Sequence, residues 1–167
     1  LSGARVVILA GPGNNGGDGL VSGRLLAEAG AIVQVFTLRP RETGDENLRK
    51  ALRAGVEVEG CESNAGRKQF VGAVRGADVF VDALFGTGAR LPIKGDAADL
   101  LAAAGAGLRG RHGVLRVAID CPSGFDCGSG ALDENLLPAD VSVTFGAAKV
   151  GQFIFPGADA LGELVLA

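Results

Sequence analysis

Apolar residues in this chain fall in short unbroken runs, separated by stretches with helical spacing. The runs at Val6–Ala10, Ile32–Leu38, Val56–Glu59, Val79–Ala83, Val114–Ile119, Val141–Phe145 and Leu161–Leu166 read as strands. Gly19–Ala29, Glu42–Ala54, Arg67–Arg75 and Asp96–Ala106 read as helices between them. Strands that are apolar at consecutive positions, rather than at every second one, predict burial on both faces and a parallel sheet. The alternation predicts a doubly wound α/β domain with right-handed crossovers. Gly-rich pieces such as Gly105–Gly113 read as loops, and no internal repeat or low-complexity linker interrupts the pattern.

Composition narrows the class. A chain of 167 residues suits one domain with a sizeable core. With 47% hydrophobic and 21% charged residues it is expected to be globular rather than disordered. A net charge of −3, with no Lys/Arg-rich run, gives no nucleic-acid footprint. No apolar stretch reaches the roughly 18 residues that a membrane helix needs. Cys61, Cys121 and Cys127 are an odd count without metal-ligand spacing, and read as reduced thiols in a cytoplasmic compartment. The chain holds no Met, even at its first position, and so reads as an excerpt of a longer protein in which a leader or further domain is expected.

The most informative segment is Gly11-Pro12-Gly13-Asn14-Asn15-Gly16-Gly17-Asp18-Gly19, between the first strand and the first helix. A tight glycine-rich turn there exposes backbone N–H groups beside the positive end of a helix, which favours an anion. Gly11, Gly13 and Gly16 satisfy G-x-G-x-x-G, a weak signal alone. A dinucleotide fold of the common type also places an acid at the end of its second strand, to bind a ribose hydroxyl. Here that strand ends in Arg39-Pro40-Arg41, and Arg39 could serve an NADP-type reading. Such a reading leaves Asn14, Asn15 and Asp18 without a purpose. The run Arg39-Pro40-Arg41-Glu42 reads as a solvated turn.

Polar segments follow four strands at their carboxyl ends, where doubly wound sheets bind ligands. They are Asn14–Asp18, then Asp82-Ala83-Leu84-Phe85-Gly86-Thr87-Gly88, then Asp120-Cys121-Pro122-Ser123-Gly124, then Thr144–Gly151 with Lys149 inside it. Each has an ordinary explanation as a turn, but four at one sheet edge point to one site. His112 lies among Gly110, Arg111 and Gly113 and reads as a surface loop, with neither a serine triad nor a zinc site around it. Asp126 reads as a turn cap and Cys121 as a packing residue.

These motifs, with Pro156-Gly157 beyond them, resemble those of the NAD(P)HX epimerases, the YjeF amino-terminal domain family. They run through nearly the whole chain in order. The resemblance implies a Rossmann-like three-layer α/β/α sandwich with a mostly parallel central sheet, as one domain over residues 1–167. It implies an isomerase that interconverts the R and S epimers at C6 of hydrated NADH or NADPH. A partner ATP- or ADP-dependent dehydratase, fused or separate, then completes the repair. It also implies a homodimer and amino-terminal helices, which this sequence does not include.

Residue by residue, the resemblance implies substrate binding by Asn14, Asn15, Gly16, Gly17 and Asp18. A second substrate loop is implied at Gly86, Thr87, Gly88, Ala89, Arg90, Leu91 and Pro92, with Asp120 near the reacting ring. It implies a potassium ion held by Asn15, Asp82 and Ser123, and oxygen donors of these kinds suit a hard cation. For the chemistry, the hydroxyl must leave and return on the other face, through an iminium-type cation or through ring opening; either route needs a proton donor and acceptor, and a nearby negative charge would stabilise the cation. Asp120 is the expected catalytic carboxylate and Lys149 its charge partner; a phosphate contact or a structural ion pair is the competing role for Lys149. Two other classes stay open. A non-catalytic scaffold, as some relatives are in RNA decapping, would be expected to lose Asn15, Asp82, Asp120 and Ser123. An NAD(P)-dependent oxidoreductase is weakened by the missing acid.

Overall fold

In a computed structural model, which describes residues 2–42 and 44–167, seven strands form one sheet. They are β1 (Arg5–Ala10), β2 (Ile32–Thr37), β3 (Glu57–Gly60), β4 (Val79–Ala83), β5 (Leu115–Ile119), β6 (Val141–Thr144) and β7 (Glu163–Leu166). The sheet order is β3-β2-β1-β4-β5-β6-β7, and every pairing is parallel. Four helices lie between the strands: α1 (Asn14–Glu28), α2 (Glu46–Arg53), α3 (Asn64–Gly76) and α4 (Asp96–Leu108).

The sequence of β1 shows how the layers arise. Successive side chains of a strand point to opposite faces. Val6, Ile8 and Ala10 join Leu20 of α1 and Ala51 of α2 in one core cluster. Val7 and Leu9 join Phe70 and Val74 of α3 and Leu100, Leu101 and Ala104 of α4 in the other. The chain moves outward through β1, β2 and β3, then returns to β4 on the other side of β1. Right-handed crossovers in opposite directions place α1 and α2 on one face and α3 and α4 on the other. All seven strands and four helices expected from the hydrophobic pattern are present.

Three helix starts differ. The first helix starts at Asn14 rather than Gly19, so two thirds of the glycine-rich segment is helical. The second starts at Glu46 rather than Glu42, because Asp45 accepts the N–H groups of Asn47 and Leu48 and so fixes the cap; Thr43 lies outside the described residues. The third starts at Asn64, where Ser63 accepts the N–H of Gly66. Beyond β5 the crossovers carry no α-helix. A loop over residues 120–140 leads to β6, and two 3₁₀ turns, Val150–Phe153 and Gly157–Ala160, lead to β7. A third small core of Cys121, Phe125 and Leu161 holds this part together.

The direction of winding reverses between β1 and β4. Their register pairs Leu9 with Asp82 and Ala10 with Ala83, and that of β4 with β5 pairs Asp82 with Ala118. The carboxyl ends of these strands are therefore level. A crevice opens above them, at the point where a doubly wound sheet binds its ligands.

Candidate active site at the strand switch point

A cleft of about 540 Å³ occupies that crevice. Pro12, Gly13, Asn14, Asn15 and Asp18 line one wall, and Leu84, Phe85, Gly86, Thr87, Gly88 and Ala89 line another, with Asp120, Phe145 and Lys149 completing it. All four polar segments that follow strands in the sequence thus meet in one place, with Ser123 just beneath.

The glycine-rich wall is a helix start. Gly13 precedes α1 and offers no side chain to cap it, so the first-turn N–H groups lack a side-chain acceptor on the cleft side. Such a terminus favours an anionic ligand. Gly16 and Gly17 are buried and do not line the cleft. A Cβ on Gly16 would collide with the backbone of Gly11, and one on Gly11 with the carbonyl of Leu84. These glycines let three backbone segments touch. Asn14, Asn15 and Asp18 are left to present side chains to the cleft.

Arg41 holds this wall from behind. Its Nη1 donates to the carbonyl oxygens of Gly11 (2.8 Å) and Gly13 (3.4 Å), and its Nε to Asp45 Oδ2 (2.5 Å). The expectation of a solvated turn over Arg39–Glu42 is therefore wrong for Arg41. Its guanidinium is spent on backbone carbonyls, and Arg39 pairs with Asp96 (2.8 Å), so neither stands free for a ribose phosphate. Burial pushes the Asp45 carboxyl up, but the hydrogen bonds from Arg41 and from the N–H groups of Leu48 and Asn47, with the Arg41 charge, bring it below its usual value of 3.8.

Asp96 is lowered by hydrogen bonds from Arg67 and Arg39, Asp126 by N–H and O–H groups of Ser129, and Asp140 by Arg116. At all four sites the unfolded chain takes up protons before the native one does. Their contribution to stability is present above 3.8 and is lost as pH falls through the native values. The part of the urea midpoint that these four contribute is expected to be constant above about pH 5 and to be lost below about pH 4. Arg41→Ala should make that acid drop smaller, because Asp45 then titrates nearer its unfolded value.

The opposite wall carries the ionisable pair. Asp120 follows β5 and is the one non-glycine residue with positive φ (69°) among the described residues. An aspartate tolerates this left-handed conformation better than most residues, at some cost. The turn is held by the Asp120 N–H donating to the Val143 carbonyl (2.7 Å). Asp120 Oδ1 accepts from Lys149 Nζ (2.5 Å) and Thr144 Oγ1 (3.3 Å), and Oδ2 accepts from the Thr87 N–H (3.2 Å). Lys149 Nζ also reaches Thr144 Oγ1 (2.5 Å) and the Phe145 carbonyl (3.2 Å). Three acceptors use the three ammonium hydrogens, and one of them is the Asp120 carboxylate, with which Lys149 forms an ion pair. Asp18 faces the same cleft. Burial, and then the charge of Asp120, raise its carboxyl above the usual value.

Asp82 and Ser123 form a buried unit below the cleft. Asp82 Oδ1 accepts from Ser123 Oγ (2.6 Å) and the Leu84 N–H (3.1 Å), and Oδ2 from the Ser123 N–H (2.7 Å). Ser123 Oγ accepts from the Phe85 N–H (2.9 Å). Burial raises the Asp82 carboxyl, opposed by the hydrogen bonds from Ser123 and Leu84. Of the other expected site residues, Arg90 and Pro92 are exposed and lie outside the cleft lining, and Leu91 packs against the core. His112 is exposed, and Asp126 caps its turn by accepting from Gly128 and Ser129. Sequence reasoning missed Arg41 and Gln152 as parts of the site and named Thr144 only as the start of its polar segment. Thr144 had a signal, its place at the end of β6, but Gln152 had none.

Residues 1–151 match the family model described as YjeF-related protein N-terminus. The chain belongs to this family. A bifunctional NAD(P)H-hydrate repair enzyme, Nnr, of Thermofilum pendens is 37% identical over 94% of the chain and 30% of its own length. An NAD(P)H-hydrate epimerase of Rhodopirellula baltica is 34% identical over 95% of the chain and 63% of its own length. An NAD(P)H-hydrate epimerase of Clavibacter sepedonicus is 35% identical over 96% and 70%. The chain thus spans between about a third and about two thirds of the relatives it matches. The crystal structure of yeast ynu0 superimposes with a TM-score of 0.76 at 22% identity, covering 99% of this chain and 65% of that one, and shares the fold. Family membership and fold agree with the sequence motifs. Among the described residues no helix is long and apolar enough to cross a membrane.

Proposed function

We propose that this domain is an NAD(P)H-hydrate epimerase, which inverts C6 of hydrated NADH and NADPH. The observation that carries the reading is the Asp120–Lys149 pair in a cleft whose other wall is an uncapped helix start. The helix terminus and the loop from Gly86 to Ala89 suit the phosphates, and Asp120 Oδ2 faces the space where the ring would lie. Protonation of the C6 hydroxyl breaks the C–O bond, water leaves, and the ring nitrogen lone pair forms the iminium. Water then adds to the other face and returns the proton. The Asp120–Lys149 pair holds this one proton, and the Asp120 charge stabilises the cationic ring. No electron is transferred, in contrast to an oxidoreductase. The engagement of Arg39 and Arg41 weighs against that second class, and retention of Asn15, Asp82, Asp120 and Ser123 weighs against a scaffold. The product would pass to an ATP- or ADP-dependent dehydratase, in keeping with the bifunctional repair enzymes among the relatives.

Potassium is part of the proposal. Asp82 is a buried carboxylate with no Lys or Arg partner among the described residues, and a buried anion without a counter-charge is costly. Oxygens of Asn15, Asp82 and Ser123 would hold the ion, which would stiffen the loops and offset pyrophosphate charge. Thermal melting in matched potassium and lithium chlorides tests this. The melting temperature is expected to be higher in potassium, by the linkage of binding to folding, and the difference should vanish in Asp82→Asn. Equal melting of the wild-type protein in both salts would remove potassium from the reading.

The epimerase is tested with a mixture of both hydrated NADH epimers and a dehydratase specific for one. Recovery of the whole pool as NADH is expected. Rapid recovery of only one epimer, with the remainder left to spontaneous interconversion, would favour the scaffold.

A further inference from the structure

Gln152 is nine-tenths and more buried, outside the cleft lining, and hydrogen-bonded at both ends of its amide. Its Nε2 donates to the Asp120 carbonyl (3.1 Å), and its Oε1 accepts from the Lys149 N–H (2.8 Å). The orientation of the amide follows from its partners, since a flipped group would set donor against donor and acceptor against acceptor. Asp120 and Lys149 lie on separate segments, one after β5 and one after β6. One side chain therefore ties together the backbones of the two residues whose side chains form the ion pair.

We propose that Gln152 is a positioning residue that sets the Asp120–Lys149 geometry, and so deepens the epimerase reading on which the choice of that pair rests. The tie acts where both backbones turn out of regular structure. Asp120 sits in left-handed conformation, where its peptide could relax toward commoner angles. Lys149 precedes a 3₁₀ turn of only four residues, Val150–Phe153. The same Gln152 N–H closes that turn onto the Lys149 carbonyl (3.0 Å), and Gly151 anchors it to the Cys127 carbonyl (2.8 Å). Gln152 is thus fixed by its own backbone before its amide reaches across. Reacting groups lose much of their advantage when displaced by about 1 Å, so a small loosening here is expected to be read in turnover.

The test compares wild-type protein with Gln152→Met, which keeps length and loses both hydrogen bonds, and Gln152→Glu, which keeps the acceptor and loses the donor. Each variant that melts cooperatively is assayed for kcat and KM, and its four lysines, Lys50, Lys68, Lys94 and Lys149, are labelled with acetic anhydride and read by mass spectrometry. The kcat is expected to fall on the order of tenfold to a hundredfold in Gln152→Met, with KM within about twofold. Lys149 should label several-fold faster while Lys50, Lys68 and Lys94 keep their wild-type rates. A side chain that only fills space would change all four lysines or none. A folded variant with wild-type kcat and wild-type Lys149 labelling overturns the proposal, as does a fall in kcat without a change at Lys149. Wild-type protein that fails to epimerise would sink the epimerase reading, and the labelling of Lys149 would still decide the role of Gln152. Faster Lys149 labelling with unchanged kcat supports the tie and places the catalytic proton elsewhere.

Discussion

Asp120→Asn is expected to leave the domain folded and to reduce epimerisation by on the order of a thousandfold or more, since both the proton-transfer group and the charge facing the ring are lost. Asparagine is the one natural residue of the same shape that also accepts a left-handed backbone readily. The φ of 69° at Asp120 therefore adds no strain in the variant, and the Thr87 N–H keeps a carbonyl-type acceptor if the amide oxygen faces it. What disappears is the carboxylate beside Lys149. The ammonium keeps Thr144 Oγ1 and the Phe145 carbonyl as acceptors, but meets an amide NH2 in place of its counter-charge. The measurement is the recovery of NADH from a mixed pool of hydrated epimers, coupled to an excess of dehydratase, with melting temperature as the control for folding. Normal rates in a folded Asp120→Asn protein would remove Asp120 from the chemistry. A loss of rate together with a loss of cooperative melting would instead assign Asp120 to structure.

Much of this site was legible in the sequence because it is built from strand ends. A parallel sheet puts the carboxyl ends of its strands level, so Asn15, Asp82, Asp120 and Lys149 converge once four strands are recognised. The positions of the elements were legible for the same reason, since runs such as Val6–Ala10 are apolar on both faces and have no other place to go. The start of α1 was not. Five glycines in Gly11–Gly19 argue locally for a loop, because glycine weakens a helix interior. Tertiary contact overrides that preference: Gly16 in the first turn lies against the backbone of Gly11, and Gly11 against that of Leu84, and a Cβ fits at neither position. Arg41 was misread for a related reason. A charged residue beside Pro40 has the composition of a surface turn, and nothing in the local pattern shows that two carbonyls of another loop await its guanidinium. Gln152 joins residues 32 and 3 positions away, and contacts of such unequal range leave no periodic trace.

Gly16→Ala reverses the usual sign of a glycine-to-alanine change in a helix. In an open helix interior, alanine is favoured by roughly 0.5–1 kcal/mol, through lower backbone entropy in the unfolded chain. Gly72 in α3 is such a site: nothing lies within 4 Å of a Cβ built there, and Gly72→Ala is expected to stabilise by about that amount. At Gly16 the added methyl would meet the carbonyl oxygen, carbonyl carbon and amide nitrogen of Gly11, all of them backbone atoms inside 3.0 Å and the oxygen far inside it. Backbone cannot rotate away as a side-chain tip does. The first turn of α1 would have to lift from the end of β1, and Gly11 is itself pressed on the Leu84 carbonyl, so the loop after β4 would move too. The expected cost is about 3 kcal/mol or more, at the upper end for a single methyl group. Urea denaturation of the two variants beside the wild-type protein measures both signs at once. The Gly72→Ala midpoint should rise and the Gly16→Ala midpoint should fall steeply. Because the lifted turn forms one wall of the cleft, whatever Gly16→Ala protein remains folded should also bind substrate poorly. Equal midpoints for the two variants would mean that the close contact between α1 and the loop after β1 does not exist as described.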